Sequence, residues 1–497
     1  MSRKKRYNIL FLMTDQHRAD HVGFLPGSRL STPNIDRIAE GVGFSNCVSV
    51  NPICTPARTA LLTGKYTHQI GTLSMSGDLS REHPTYLRAL QDAGYWTAGV
   101  GKLHWMQGPW NAGRGAGYDL VALKPEVMKY GFDYLWEVSG KQLAWWNNCD
   151  YCEHLKARGL LEQYRDHVES RGKNSPDPAK TTWSGEPWPF DEATYVDVVT
   201  GSEIVKAIDA RPADQPFCIF GSFCGPHKPY DPPASSLNAI PADDNEPFLP
   251  GEDEMDSATR ARLRRVRRAY KAMIMCVDTQ IGEVIDKLDR EGLLDETIVV
   301  FTSDHGEMLG DHNRMSKMQP WRESVIVPTA IRHPDHLLGR TCHAPIEITD
   351  LTASILDFAG LNPQRALARN WPAFHNRVPC RSLAPIICGD ADSIRDYAFS
   401  ECRGEWQMIQ TARWKYIRYL NQSPTASARE ELYDLVADPH EQENLIDNRR
   451  HLDILDDLRS CRTRTIDATP PAQTSWVPRQ PWNESTIIGG QDERKDA

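Results

Sequence analysis

No run of this 497-residue chain approaches the ~18 consecutive apolar residues of a membrane span. The basic start Met1-Ser2-Arg3-Lys4-Lys5-Arg6 leads into an apolar segment that breaks at Thr14-Asp15-Gln16. No small-residue cleavage site follows, which argues against a secretory signal. Positive charge is in deficit: 57 basic against 67 acidic residues leave a net charge of −10. That argues against a general nucleic-acid binder and leaves room for a local basic pocket. The 12 cysteines are scattered too thinly for a disulfide framework and read as thiols of a reducing compartment. The expectation is a cytoplasmic protein with neither membrane nor nucleic-acid partner. What is present is globular composition, 40% hydrophobic and 25% charged, in a chain long enough for one large α/β core plus a smaller unit.

Apolar runs alternate with helical patterns, the signature of a large, mostly parallel sheet sandwiched by helices. The clearest strands are Tyr7–Met13, Tyr95–Val100, Pro216–Ser222 and Glu296–Thr302. Helices are expected at Thr32–Gly41, His83–Gly94, Thr194–Ala210 and Ala258–Leu288. In the last, Tyr270, Met273, Val277, Ile281, Val284 and Leu288 recur at helical spacing, and Gly292 is a stop. Residues 105–190 hold Trp105, Trp110, Trp136, Trp145, Trp146, Trp183 and Trp188 among many Gly and Pro residues, and read as a loop-rich insertion. These rings suit either a packed lid or sugar stacking. A catalytic domain is thus expected over 1–390, a small antiparallel α+β domain over 391–465 and a polar tail over 466–497. Trp476 and Trp482 in that tail suggest docking on a neighbouring copy, hence a homo-oligomer.

Reactive groups of open parallel sheets gather beyond the carboxyl ends of the strands. Here the first strand ends in Asp15-Gln16 and the second in Gly101-Lys102-Leu103-His104. The third runs into Pro226-His227-Lys228-Pro229, and the fourth ends in Ser303-Asp304-His305-Gly306-Glu307. Parallel pairing would turn these carboxylates, imidazoles and lysines toward one crevice. A fifth element is Cys54-Thr55-Pro56-Ala57-Arg58, continuing to Leu62-Thr63-Gly64. Pro56 suits the first residue of a helix with Thr55 as its cap, which would put Cys54 beside free backbone N–H groups and Arg58 about one turn inside. Cys149-Asp150-Tyr151-Cys152 lacks a second cysteine pair at matching spacing and reads as surface thiols. The dense basic run from Arg260 to Arg268 reads as a solvated helix face balanced by the acidic 252–256 segment.

Cys54-x-Pro56-x-Arg58 with Leu62-Thr63-Gly64 resembles the sulfatase family, within the alkaline-phosphatase-like hydrolases. Pro33-Asn34-Ile35-Asp36, Gly101-Lys102-Leu103-His104, Ser303-Asp304-His305-Gly306-Glu307 and Leu432-Tyr433-Asp434-Leu435 reinforce it in the family's order. The resemblance implies that Cys54 is oxidised to formylglycine by a formylglycine-generating enzyme and hydrates to a geminal diol, the nucleophile. It implies one divalent metal held by Asp15, Gln16, Asp304 and His305 and by one diol oxygen of the residue formed from Cys54. Arg58 would brace the diol, while Lys102, His227 and Lys317 would contact the sulfate. His227 or Lys317 would protonate the departing alcohol, and His104 would take the proton of the second diol hydroxyl.

Two positions depart from the commonest family pattern, Gln16 where a second Asp is usual and His305 where Asn is usual. Oxygen shells favour Ca2+ or Mg2+, and an imidazole shifts the preference toward Mn2+. The same Asp-Gln with Asp-His combination resembles choline sulfatase and phosphonate monoester hydrolases. The expected substrate is a small-molecule sulfate monoester (aryl, sugar or alkyl), and the alternative is a phosphonate monoester or phosphodiester.

Overall fold

The computed structural model describes residues 6–75, 77–106, 113–171, 184–243, 245–368, 377–420 and 429–472. Nine strands form the large sheet: β1 (Asn8–Thr14), β2 (Val42–Val48), β3 (Trp96–Lys102), β4 (Tyr134–Val138), β5 (Phe217–Ser222), β6 (Thr297–Ser303), β7 (Ile326–Arg332), β8 (Arg340–Cys342) and β9 (Ile346–Glu347). Their order is β4-β3-β5-β1-β6-β7-β2-β8, with β9 also on β2. Only β7 is reversed: it pairs antiparallel with both β6 and β2, and every other pairing is parallel.

Strand periodicity builds the sandwich. On β1, Ile9, Phe11 and Met13 face one core, which they share with Leu87, Leu90, Leu351 and Ile355 of the helices Tyr86–Asp92 and Ile348–Phe358. Leu10 and Leu12 face the other, shared with Ile204 and Ile208 of Val196–Ala210 and with Val277, Ile281 and Leu288 of Ser257–Arg290. A strand buried on both faces needs a continuous apolar run, which is why these segments stand out in the sequence. Asp256 caps the long helix by accepting from the Thr259 backbone N–H at 2.8 Å. Gly292, with φ +68°, follows its end. The region expected as one helix at Thr32–Gly41 is instead two short turns, Pro33–Asp36 and Ile38–Glu40.

Residues 105–190 are more regular than expected. They supply β4, which extends the sheet edge beside β3, and the helices Lys124–Met128, Asp150–Lys156 and Leu161–Ser170. These helices are only 5, 7 and 10 residues long, too short to give a sustained period in a Gly-rich stretch. With Val196 and Val199 of the helix Val196–Ala210 and with Cys276 they enclose a separate core around Tyr151, Leu155, Tyr164 and Trp188. Trp105 stacks on Phe132, so both tryptophans pack the interior. Trp110, Trp183, Trp476 and Trp482 lie outside the described residues.

A second, antiparallel sheet follows: β10 (Ala398–Cys402), β11 (Trp406–Gln410), β12 (Trp414–Tyr419) and β13 (Glu430–Asp434). The helix Leu452–Ala468 runs past the residue 465 boundary expected from sequence. Buried Glu401 of β10 ties this sheet to the short helix Thr67–Ile70 by accepting from the Thr67 hydroxyl at 2.6 Å and the His68 backbone N–H at 2.9 Å. No helix among the described residues is long and apolar enough to cross a membrane.

Candidate active site

β3, β5, β1 and β6 are consecutive neighbours, so their carboxyl ends form one contiguous edge. The register Thr14↔Ser303 sets Asp15 beside Asp304. The chain turns sharply at Gln16, which adopts φ +68°, and the Gln16 N–H donates to Asp304 Oδ1 at 3.0 Å. Asp304 Oδ1 also accepts the His305 N–H at 2.9 Å. Against this edge sits the helix Cys54–Thr63, buried along its whole length; it starts at Cys54, two residues before the expected Pro56, so Ile53 and not Thr55 is the cap residue.

Four groups surround the Cys54 sulfur. Lys317 Nζ lies at 2.8 Å, His305 Nε2 at 3.1 Å, Asp15 Oδ1 at 3.5 Å and Lys102 Nζ at 3.9 Å. Lys102 is ion-paired with Asp15 Oδ2. Arg58 donates to Asp304 Oδ2 at 2.7 Å, to the Lys102 carbonyl at 2.6 Å and to Ser222 Oγ at 2.8 Å, with no exposure of either charged side chain. Its remaining Nη2 is buried without a hydrogen-bond partner among the described residues. A cleft lined by Lys102, His104, His227 and Lys317 opens from this cluster, and Met75 and Leu143 form part of its wall.

Backbone carbonyls orient the imidazoles. His305 Nδ1 is 2.9 Å from the Gly306 carbonyl and His227 Nδ1 is 2.7 Å from that of Lys228. His104 Nε2 is 2.8 Å from the Ser139 carbonyl. A carbonyl only accepts, so each of these nitrogens carries the proton and the other offers a lone pair. For His305 that lone pair is on Nε2 and faces Cys54. For His104 it is on Nδ1, which is buried and has no hydrogen-bond partner among the described residues.

Burial works against charge throughout the cluster. It holds His104 and His227 well below the ordinary imidazole range, reinforced at His104 by Lys102 and Arg58, and it pushes His305 down to about 4. Burial would push Asp15 up, but Lys102, His227, Arg58 and Lys317 outweigh it and hold the carboxyl well below the usual range. Burial and then Asp15 push the Cys54 thiol up. Burial opposes the charge on Lys317, yet Cys54, Asp15 and Asp304 raise its pKa, so it stays an ammonium.

The donor set fits a divalent cation. Ligand atoms of Asp15, Cys54, Asp304 and His305 all lie within 4.8 Å of one another, all buried. Gln16 Oε1 joins them through Lys317 Nζ, which is 3.1 Å from it and 3.1 Å from His305 Nε2. Two carboxylates, an amide oxygen and an imidazole nitrogen suit Ca2+, Mg2+ or Mn2+.

All ten residues singled out from the sequence therefore meet at one place. Ser139, Ser222 and Glu307 are further members that sequence reasoning passed over. Each sits at or just beyond a strand's carboxyl end, the one signal that could have marked them. Cys149 and Cys152 are buried with their sulfurs 3.5 Å apart, against the surface position expected. The basic run is in part internal: Arg260 and Arg264 pair with Glu252, while Arg267 turns inward to Asp311 at 2.6 Å.

Comparison with known proteins agrees with this geometry. The profile of the sulfatase family matches residues 7–361, and that of the N-sulphoglucosamine sulphohydrolase C-terminal region matches 310–466. An arylsulfatase of Clostridium perfringens is 27% identical over 94% of this chain and 96% of its own length. A choline-sulfatase of Rhizobium meliloti is 27% identical over 89% of this chain and 83% of its own. Among solved structures, the phosphonate monoester hydrolase of Silicibacter pomeroyi shares the fold with a TM-score of 0.74 at 24% identity, covering 94% of this chain and 96% of that one. The chain belongs to the sulfatase family and is a sulfatase hydrolase.

Proposed function

We propose that this enzyme cleaves a small-molecule sulfate monoester with formylglycine formed from Cys54, the nucleophile being one oxygen of the hydrated aldehyde. The observation that carries the reading is the convergence of Lys317, Lys102 and His305 on the buried Cys54 sulfur. The two ammonium groups would cradle the non-bridging oxygens of a sulfuryl group, where charge develops during transfer. A divalent ion held by Asp15, Gln16, Asp304 and His305 would lower the pKa of an adjacent hydroxyl and offset negative charge.

The remaining work falls to side chains. The diol oxygen attacks sulfur and the S–O bond to the alcohol breaks. Lys317, which carries only donors, gives that oxygen its proton. Lys102 holds the sulfuryl oxygens, His227 donates to them through Nε2 once their charge draws a second proton onto its ring, and the free Nη2 of Arg58 braces the diol. His104 Nδ1, the open lone pair, then takes the proton of the second diol hydroxyl. The C–O bond to sulfate breaks and the aldehyde returns. A sulfuryl group in the cleft adds negative charge beside His104 and strengthens it as a base. Because Cys54 is fully buried, conversion by a formylglycine-generating enzyme has to precede folding of this helix.

Rates on an aryl sulfate and on an aryl phosphonate monoester, measured with the mature enzyme and its Cys54→Ala variant, test the reading. The sulfate ester is expected to turn over faster, with all activity lost in the variant. Faster turnover of the phosphonate would make this a phosphonate hydrolase on the same machinery. Full activity in Cys54→Ala would overturn the nucleophile.

A further inference from the structure

We infer that Glu307 is a positioning residue that selects which end of the Gln16 amide faces the metal site. The inference rests on the metal reading above. A carboxylate at position 16 would present oxygen whichever way it turned. An amide presents either an oxygen or an NH2 group, and only the oxygen can bind a cation. Something must therefore fix the rotamer.

Glu307 is fully buried and lies directly behind Gln16. Its Oε2 accepts the Gln16 Nε2–H, which turns Gln16 Oε1 toward the site, where Lys317 Nζ donates to it at 3.1 Å. Its other oxygen, Oε1, accepts the backbone N–H of Ser316 and that of Leu309 at 3.1 Å. Both carboxylate oxygens are thus committed to N–H donors, and neither can turn away without orphaning one. Its own backbone is pinned as well, the N–H donating to the Glu323 carbonyl at 2.8 Å and the carbonyl accepting from Arg18 Nη1 at 3.4 Å. The Ser316 bond adds a second task. Ser316 and Met318 both have positive φ, 72° and 74°, and flank Lys317. One carboxylate therefore sets both the Gln16 oxygen and the loop that delivers Lys317.

The arrangement also accounts for the pairing of residue types. With Glu307 behind it, position 16 has to donate backward and accept forward, which an amide does and a carboxylate does not. Aspartate at 16 would face Glu307 as a second anion. Glutamine at 307 would meet the Gln16, Ser316 and Leu309 N–H groups with only one oxygen.

The test is a double-mutant cycle read by calorimetric titration of Ca2+ and Mn2+ into the EDTA-stripped full chain, with circular dichroism to verify folding. Glu307→Gln is expected to weaken binding of the metal at least tenfold, in the range found for outer-shell partners of metal ligands. Gln16→Asp is expected to weaken it as well. The double variant Gln16→Asp/Glu307→Gln, in which a carboxylate again faces an amide, is expected to recover most of the loss. Wild-type affinity in Glu307→Gln, or losses that simply add in the double variant, would overturn the inference. If Glu307→Gln does not fold, the comparison of Gln16→Asp with the double variant decides by the same criterion. Failure of the wild-type chain to bind either ion would overturn the metal reading itself, and this inference with it.

Discussion

Lys317 Nζ stands 2.8 Å from Cys54 Sγ although 263 residues separate them along the chain. Among the described residues its other hydrogen-bond contacts, to Gln16 Oε1 and His305 Nε2, belong to the same cluster. It is a fixed donor aimed at the atom whose place the proposed nucleophile would take. Lys317→Ala is expected to lower kcat on a sulfate ester by roughly 10²–10³-fold, the usual cost of one donor at a developing charge. Circular dichroism should show the fold retained. A kcat within threefold of wild type would remove Lys317 from the proposed acid role.

Arg58 has a different weight. It pairs with Asp304 where both are fully buried, so in the EDTA-stripped chain Arg58→Ala strands a carboxylate without its cation. The expected cost is about 3–5 kcal/mol of stability together with loss of turnover. Urea unfolding of wild type and variant measures it. An unshifted midpoint would mean that Asp304 finds another partner.

A second buried pair joins residues 105–190 to the loop that carries His227. Lys141 is ion-paired with Asp231 and donates to the Pro229 carbonyl at 2.6 Å, while His167 Nε2 lies 3.1 Å from the other Asp231 oxygen. Asp231→Ala should destabilise by about 3–5 kcal/mol and lower turnover. Lys141→Met/Asp231→Leu should cost less, since no buried charge is left alone. Urea midpoints that rank the two variants the other way would contradict this.

His83 gives the pH dependence its sign. Burial, reinforced by Lys65, lowers its pKa to about 3. The unfolded chain takes up the proton near the ordinary value of about 6.5, so the unfolded state binds more protons between these limits. Stability is fully present above the unfolded pKa and is lost as pH falls toward the folded one. Between pH 7 and pH 5 the wild type should lose about 2 kcal/mol more than His83→Gln. Equal losses by urea unfolding would show His83 already protonated in the folded protein.

Much of this was legible before the structure. β1, β3, β5 and β6 lie within one or two residues of the runs seen in the sequence, because strands buried on both faces must be apolar throughout. β2 and β7 were not visible. β2 reads Val42-Gly43-Phe44-Ser45-Asn46-Cys47-Val48, with a bulge between Phe44 and Cys47, and β7 carries Pro328 opposite that irregularity. Proline and bulges weaken the strand signal although tertiary pairing tolerates them there. Asp15, Gln16, Lys102, His104, His227, Asp304 and His305 stood out because reactive side chains cluster after strand ends, whereas Cys54, Arg58 and Lys317 were legible through the motif around the helix Cys54–Thr63 and the family resemblance. Glu307, Ser139 and Ser222 were not, because their tasks are set by which neighbours the fold brings, such as Gln16, His104 and Arg58.

The central claim is the identity of the nucleophile, and mass spectrometry of the tryptic peptide Ile38–Arg58 from an active native preparation tests it most directly. An aldehyde or its hydrate in place of the Cys54 thiol is the predicted result. An unmodified thiol throughout a fully active preparation would contradict the account.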